Sequence, residues 1–164
     1  MIDDPTTFSL NQLITVSTTS NYAGCGFGSA GAGVLDLGPL VPSPGGAGGY
    51  GYGGALGDII WRWPLKVVVS QIFAGPAGAT LAIDLQDSPD NLTYNITQLG
   101  TTPMITIATG LGTLGQRIID APLPRISGST NPPIPLGRYL RILYVVTGGP
   151  FTAGAINAFL DIPV

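Results

Sequence analysis

Histidine and glutamate do not occur in this chain, and lysine and cysteine occur once each, as Lys66 and Cys25. Each absence excludes something. Without His, the commonest general base and the commonest metal ligand are both missing, so Ser-His-Asp triads and His-based zinc sites are ruled out. Without Glu and with a single Lys, two strong helix formers are lost, which argues against a helical protein. One Cys allows no intrachain disulfide. No apolar run approaches the roughly 20 residues that cross a bilayer as a helix. The opening Met1-Ile2-Asp3-Asp4-Pro5 is acidic and lacks the basic and apolar regions of a secretory signal. Charge is sparse: nine Asp against five Arg and Lys66 give a net charge of −3. The basic residues are scattered, whereas a nucleic-acid surface needs them clustered to displace phosphate counterions.

What is abundant is Gly (25) and Pro (15), beside 45% hydrophobic residues in 164. A chain of this length fits one domain and buries about 70% of its unfolded surface. Period-two alternation with β-branched residues recurs, and no segment sustains a 3.6-residue period. The alternation predicts strands near Leu13–Thr18, Gly33–Leu37, Asp58–Trp63, Leu65–Ile72, Ala79–Asp87, Leu92–Leu99, Met104–Thr109, Gln116–Ile119, Arg138–Thr147 and Ala155–Ile162. Ser88-Pro89-Asp90-Asn91 predicts a turn joining two of them as a hairpin, because Pro presets φ at its second position. Gly148-Gly149-Pro150 breaks the chain between the last two long strands. Short strands at regular spacing read as an antiparallel β-sandwich in a single domain, 1–164. Both faces of Arg138–Thr147 and of Val67-Val68-Val69 are largely apolar, as suits strands covered on two sides or placed at a subunit contact.

Three segments depart from that scheme: an N-terminal arm (1–12) and Gly-rich inserts at 23–33 and 39–57. A Gly-rich loop loses much backbone entropy on ordering alone. Tyr50 and Tyr52 in the second insert could anchor it on a neighbouring subunit, since Tyr offers large contact area at low side-chain entropy cost. Phe27 and Phe8 are the further candidate protein contacts.

No motif carries chemistry. Gly26-Phe27-Gly28-Ser29-Ala30-Gly31 matches a dinucleotide fingerprint by letters, but a strand-like segment ending in Gly38-Pro39 follows where a helix is needed. Asp84, Asp87 and Asp90 supply three carboxylates, but turn formation accounts for the last two and the EF-hand pattern is missing. Lys66 has no Ser-x-x-Lys partner. Asn91-Leu92-Thr93 and Asn95-Ile96-Thr97 are sequons by letters only. Trp61 and Trp63 share a strand face with Ile59, which favours a core role over a sugar-stacking platform. The expectation is therefore no catalytic residue, no metal, no cofactor and no enzyme activity.

Several stretches together resemble the capsid cement proteins of tailed, short-tailed bacteriophages. They are Met1-Ile2-Asp3, Phe8-Ser9-Leu10-Asn11-Gln12-Leu13-Ile14-Thr15, Val34-Leu35-Asp36-Leu37-Gly38, Trp63-Pro64-Leu65-Lys66-Val67-Val68-Val69, the run from Ala77 to Ser88, that from Pro135 to Tyr144, and that from Gly149 to Gly154. The resemblance implies a jelly-roll decoration protein on the outer surface of a virion capsid. Such a protein bridges copies of the major capsid protein, acts as a homo-oligomer, and touches neither nucleic acid nor membrane. The chain departs from that pattern at Ala23–Gly33 and Pro39–Gly57. The competing expectation is a carbohydrate-binding β-sandwich on a virion surface, using Trp61, Trp63 or the loop tyrosines.

Overall fold

The computed structural model of the chain describes residues 7–23, 32–36, 40–42, 50–52, 64–88, 90–94, 102–122 and 139–161. Within them the chain runs β1 (Thr7–Leu13), β2 (Thr18–Thr19), β3 (Val34–Asp36), β4 (Leu40–Pro42), β5 (Tyr50–Tyr52), β6 (Pro64–Ala74), β7 (Thr80–Ser88), β8 (Ile105–Thr106), a π-helical turn (Ile107–Leu111), β9 (Arg117–Pro122), β10 (Tyr139–Thr147) and β11 (Ala153–Leu160). One antiparallel sheet has the order β1-β11-β6-β9. The other has the order β2-β10-β7-β8, with β3 also pairing β10. Chain connections pass from one sheet to the other at β1 to β2, β6 to β7, β8 to β9, β9 to β10 and β10 to β11. These are jelly-roll crossings, and the expected all-β sandwich is what the chain forms. β4 and β5 pair only with each other, Leu40 opposite Tyr52 and Pro42 opposite Tyr50.

The long strands follow the alternation in the sequence. On β6, Leu65, Val67 and Val69 are buried while Lys66, Val68 and Ser70 are half-buried. On β10, Leu140, Ile142 and Tyr144 point inward, and the outer residues Tyr139, Arg141, Leu143 and Val145 are half-buried. The two-sided coverage expected for these strands is therefore partial on their outer faces. The interior joins these side chains to Phe8, Leu81, Ile83, Ile156 and Leu160. Phe73 and Phe151 meet edge to face at one end, centroids 4.9 Å apart. That geometry adds about 0.5–1.5 kcal/mol beyond area burial.

Three expectations are corrected. Residues 7–12, expected in an N-terminal arm, lie in β1, hydrogen-bonded to β11. Strand Leu13–Thr18 is interrupted by bends at 15–17, so only Thr18–Thr19 pairs with β10. In place of strand Met104–Thr109 there are two strand residues and then the π-helical turn. Thr106 and Thr109 exchange side-chain-to-backbone hydrogen bonds there and stop the strand. Expected strand Asp58–Trp63, with both Trp, lies outside the described residues.

The first Gly-rich insert leaves and re-enters one interrupted edge strand. β2 pairs Leu143 and Tyr144, and β3 pairs Tyr139 to Arg141. Between them Ser20 donates its N–H to the Ile142 carbonyl (2.8 Å), while its Oγ accepts from Ile142 N (3.1 Å) and donates to the Gly33 carbonyl (2.6 Å). Gly33 N–H donates to the Tyr22 carbonyl (2.8 Å) and closes the base of the insert. Gly33 has φ +71°, and a Cβ there would stand 2.0 Å from the Ser20 carbonyl oxygen, so only glycine fits.

A buried polar chain ties this edge to the opposite sheet. Ser9 Oγ on β1 donates to Gln12 Oε1 (2.7 Å) and lies 2.8 Å from the hydroxyl of Tyr144 on β10. Since the Ser9 proton goes to Gln12, Tyr144 donates to Ser9. Gln12 also accepts from Asn21 N (3.1 Å) and donates Nε2–H to the Thr19 carbonyl (2.6 Å). Burial pushes the Tyr144 phenol well above its ordinary value.

Tyr144→Phe removes one hydrogen bond and leaves Ser9 satisfied by Gln12, so the expected loss is about 1 kcal/mol. Gln12→Ala strips partners from Ser9, Thr19 and Asn21 together and should cost more, about 1–3 kcal/mol. Urea unfolding of both variants checks the order. Because the folded Tyr144 pKa is raised, its contribution is complete below the ordinary phenol value and is lost as pH rises beyond it. Tyr144→Phe should accordingly flatten the alkaline limb of the stability profile.

Candidate interaction surfaces

Of the residues singled out as contacts, the structure places three. Tyr50 and Tyr52 are the ends of β5, held in register against β4. Their segment, expected as a loop, thus includes a two-stranded ribbon. Phe8 is 0% exposed in the sandwich interior, because β1 carries it against the core. Its ring has no surface to offer a partner, and it is an interior residue. Phe27 lies outside the described residues.

The titratable groups are spread among structural positions. Asp84 and Asp87 are buried on β7, three residues apart and so on opposite faces of a strand, while Asp90 is in the turn beyond. The D-x-x-D-x-x-D spacing therefore does not converge, and among the described residues no three His, Cys, Asp or Glu side chains group to hold a metal. Lys66 is ion-paired with Asp161, and Arg117 with Asp120 at 2.6 Å. No described helix is long and apolar enough to cross a membrane.

Of the strand expected over Leu92–Leu99, residues 95–99 lie outside the described residues, and 92–93 form bends. Asp90 Oδ1 accepts from Leu92 N (2.9 Å), Thr93 N (3.0 Å) and Ser88 Oγ (2.9 Å), and Asn91 takes φ +62°. These local bonds satisfy donors that a strand would have offered across a ladder, so residues 90–94 form a knot of bends. The knot sets the Tyr94 ring 3.6 Å from the Arg141 guanidinium, which also donates Nε–H to Gln86 Oε1 (2.7 Å). Burial raises the Tyr94 pKa, opposed by Arg141, and burial lowers that of Arg141, opposed by Tyr94. Stacking of this kind contributes about 0.5–2 kcal/mol. It covers part of the outer face of the β10–β7 sheet with an aromatic ring and leaves Leu92 standing out into solvent.

Sequence reasoning missed the exposed apolar side chains: Leu10, Leu13, Val16, Ile72, Met104 and Leu114, besides Leu92. Alternation alone would assign most of them to the core. β1 shows why it fails. Its pairing with β11 shifts register twice, and Asn11 sits at φ +47° with its N–H donating to Asn157 Oδ1 (2.6 Å). That irregularity changes the facing of the strand, so Gln12 turns inward and Leu13 outward. Most of the exposed set gathers where β1, β6, β8 and β10 end, beside a shallow open hollow lined by Val16, Ser17 and the segment 146–150.

The Asp90 knot has a pH signature. The Thr93 and Leu92 N–H groups, with the Ser88 hydroxyl, hold the Asp90 carboxyl below its ordinary value of 3.8. A lowered folded pKa stabilises in full above that ordinary value and ceases to do so as pH falls through the lower one. In Asp90→Asn the amide oxygen can still accept but the charge is lost, so the urea midpoint near neutrality should fall slightly, and the variant should lose less stability than the parent as pH drops below the ordinary carboxylate value.

Comparison with known proteins gives one family: the model for Bbp16 matches residues 29–160. That match takes in every strand of the sandwich from β3 onward. No curated protein matches the chain.

Proposed function

We propose, on the premise that the chain belongs to the Bbp16 family, that it is a structural virion protein. In this reading it decorates the outer surface of a phage capsid and stabilises it by bridging major capsid protein subunits. The observation that carries the reading is where the apolar surface lies. Leu13, Val16, Met104 and Leu114 are held out from a well-packed sandwich on strand ends and turns, while Asp90 is taken up in a local turn and Lys66 and Arg117 in ion pairs. Exposed apolar groups beside a rigid scaffold suit protein contact. The resemblance of the chain to capsid cement proteins supplies the kind of partner. Cementing a lattice needs modest contacts repeated many times, since linked sites bind with an effective concentration that multiplies weak affinities. The β4–β5 ribbon, whose strand β5 includes Tyr50 and Tyr52, is a second point of attachment in this proposal.

Mixing the protein with undecorated shells of its own phage and sedimenting them tests the proposal. Saturable co-sedimentation, and greater resistance of the shells to heat, are expected. Absence of binding at saturating protein overturns it. Deleting Gly45–Gly54 removes β5 without removing a strand from either main sheet. The deletion should leave thermal unfolding of the sandwich nearly unchanged and weaken shell binding by about tenfold, the loss of one or two aromatic anchors.

A further inference from the structure

The basic side chains among the described residues differ in what they are given to bind. Lys66 is ion-paired with Asp161 and Arg117 with Asp120, whereas Arg141 has no carboxylate partner. Arg141 lies on the outer face of β10, between Val34 of β3 on one side and Gln86 of β7 on the other, and is half-buried there. A cation taken partly out of water without a counter-charge is unfavourable, because burial penalises the charged form. Burial does lower the Arg141 pKa, and what opposes it is the Tyr94 phenol rather than a carboxylate.

The guanidinium is nonetheless held in one orientation. Its Nε–H donates to Gln86 Oε1 (2.7 Å), and Gln86 is itself only 3% exposed. Arg141 Cζ stands 3.6 Å from the centroid of the Tyr94 ring, so the ring walls one face of the cation. Tyr94 in turn donates its hydroxyl hydrogen to Asn91 Oδ1. Asp90 fastens the turn that carries both, its Oδ1 accepting from Leu92 N, Thr93 N and Ser88 Oγ. With Nε engaged, the donors left over are those of the two terminal nitrogens, and among the described residues neither makes a hydrogen bond. A planar fork of parallel N–H donors, fixed in orientation and short of an acceptor, matches the two oxygens of a carboxylate.

We propose that the terminal edge of Arg141 is a carboxylate-binding site, and that its occupant is an Asp or Glu side chain of the protein on which this chain docks. Because Gln86 and Tyr94 already fix the guanidinium, little side-chain freedom is lost on binding, and the bidentate geometry is set beforehand. A protein-borne carboxylate suits the place better than a free ion because of Leu92, which stands 85% exposed on the same turn. A peptide carrying the carboxylate gains apolar contact there, and a small anion gains none. The net charge of −3 does not oppose the contact at a distance, since salt screens charges beyond about 8–10 Å. This inference rests on the docking function proposed above and adds a charged contact on residues that the apolar contact does not use.

Two measurements test it, the first on the chain alone. In an NMR spectrum of arginine-labelled protein, sodium acetate should shift the Nε–H signal of Arg141 saturably, and sodium chloride at equal ionic strength should not. Loss of the signal in Arg141→Lys identifies it, and the Arg117 signal should stay in place. Tyr94→Leu, shown to be folded by thermal unfolding, should weaken acetate binding at least about threefold. The second measurement is co-sedimentation with undecorated shells. Arg141→Gln should weaken binding about tenfold at low salt, and the gap should close as sodium chloride rises. Arg117→Gln makes the same change in net charge and should bind like the parent. Arg141→Lys keeps the charge without the fork and should recover only part of the loss. A shift that does not saturate, or that chloride reproduces, overturns the site. Parent affinity in Arg141→Gln, or an equal loss in Arg117→Gln, overturns the protein-borne occupant. Shells that bind no form of the chain overturn the function proposed above and this occupant with it, and the acetate shift then decides the carboxylate site by itself.

Discussion

Inside a sandwich whose described core is largely apolar, the hydroxyl of Tyr144 reaches across to Ser9, and Ser9 passes the chain of hydrogen bonds to Gln12, Thr19 and Asn21. Hydrophobic packing is close to non-directional and tolerates several arrangements of similar volume. A buried hydroxyl does not, because losing its partner costs about 1–3 kcal/mol. This polar chain therefore fixes where β1 lies relative to β10. Once it is set, β2 follows through Gln12, and Ser20 brings β3 alongside by bonding Ile142 and Gly33. The first glycine-rich insert can then leave the edge and return without disturbing the ladder.

The long strands β6, β7, β10 and β11 were legible from alternation, since each buries one whole face and a two-residue period survives that pressure. The short elements were not. Thr106 and Thr109 look like strand residues until their side chains turn back onto the backbone, and Asp90 looks like a hairpin corner until its carboxylate gathers three donors. In both places local side-chain bonds outweigh β propensity, which is weak where few neighbours pack. Phe8 was misassigned for a related reason. An aromatic residue near an N-terminus reads as available for contact, and only the pairing of β1 with β11 reveals that it closes the core.

The candidate surface was present in the sequence in a form that could not be interpreted there. The spacing of Asp, Arg and Lys leaves five long blank intervals, 5–35, 37–57, 67–83, 91–116 and 142–160, visible by inspection. Nothing in one dimension says that the turns within four of them meet. Jelly-roll topology supplies that information by sending alternate connections to the same end. The scarcity of charge with which the chain is first met is then a matter of placement as well as amount: the turns that follow β1, β6, β8 and β10 carry no charged residue.

The pairing of Thr7 with Phe159, and of Leu65 with Leu160, has a consequence in time. Contacts this distant in sequence form late, because loop closure must precede any gain from them. On a ribosome, β1 emerges long before β11, its hydrogen-bonding partner among the described strands. The first sheet cannot close on a partial chain, and Phe8 stays uncovered until it does. Premature fragments therefore lack the finished end of the sandwich, and a lattice that recruits subunits through that end would admit only chains translated through their last strand.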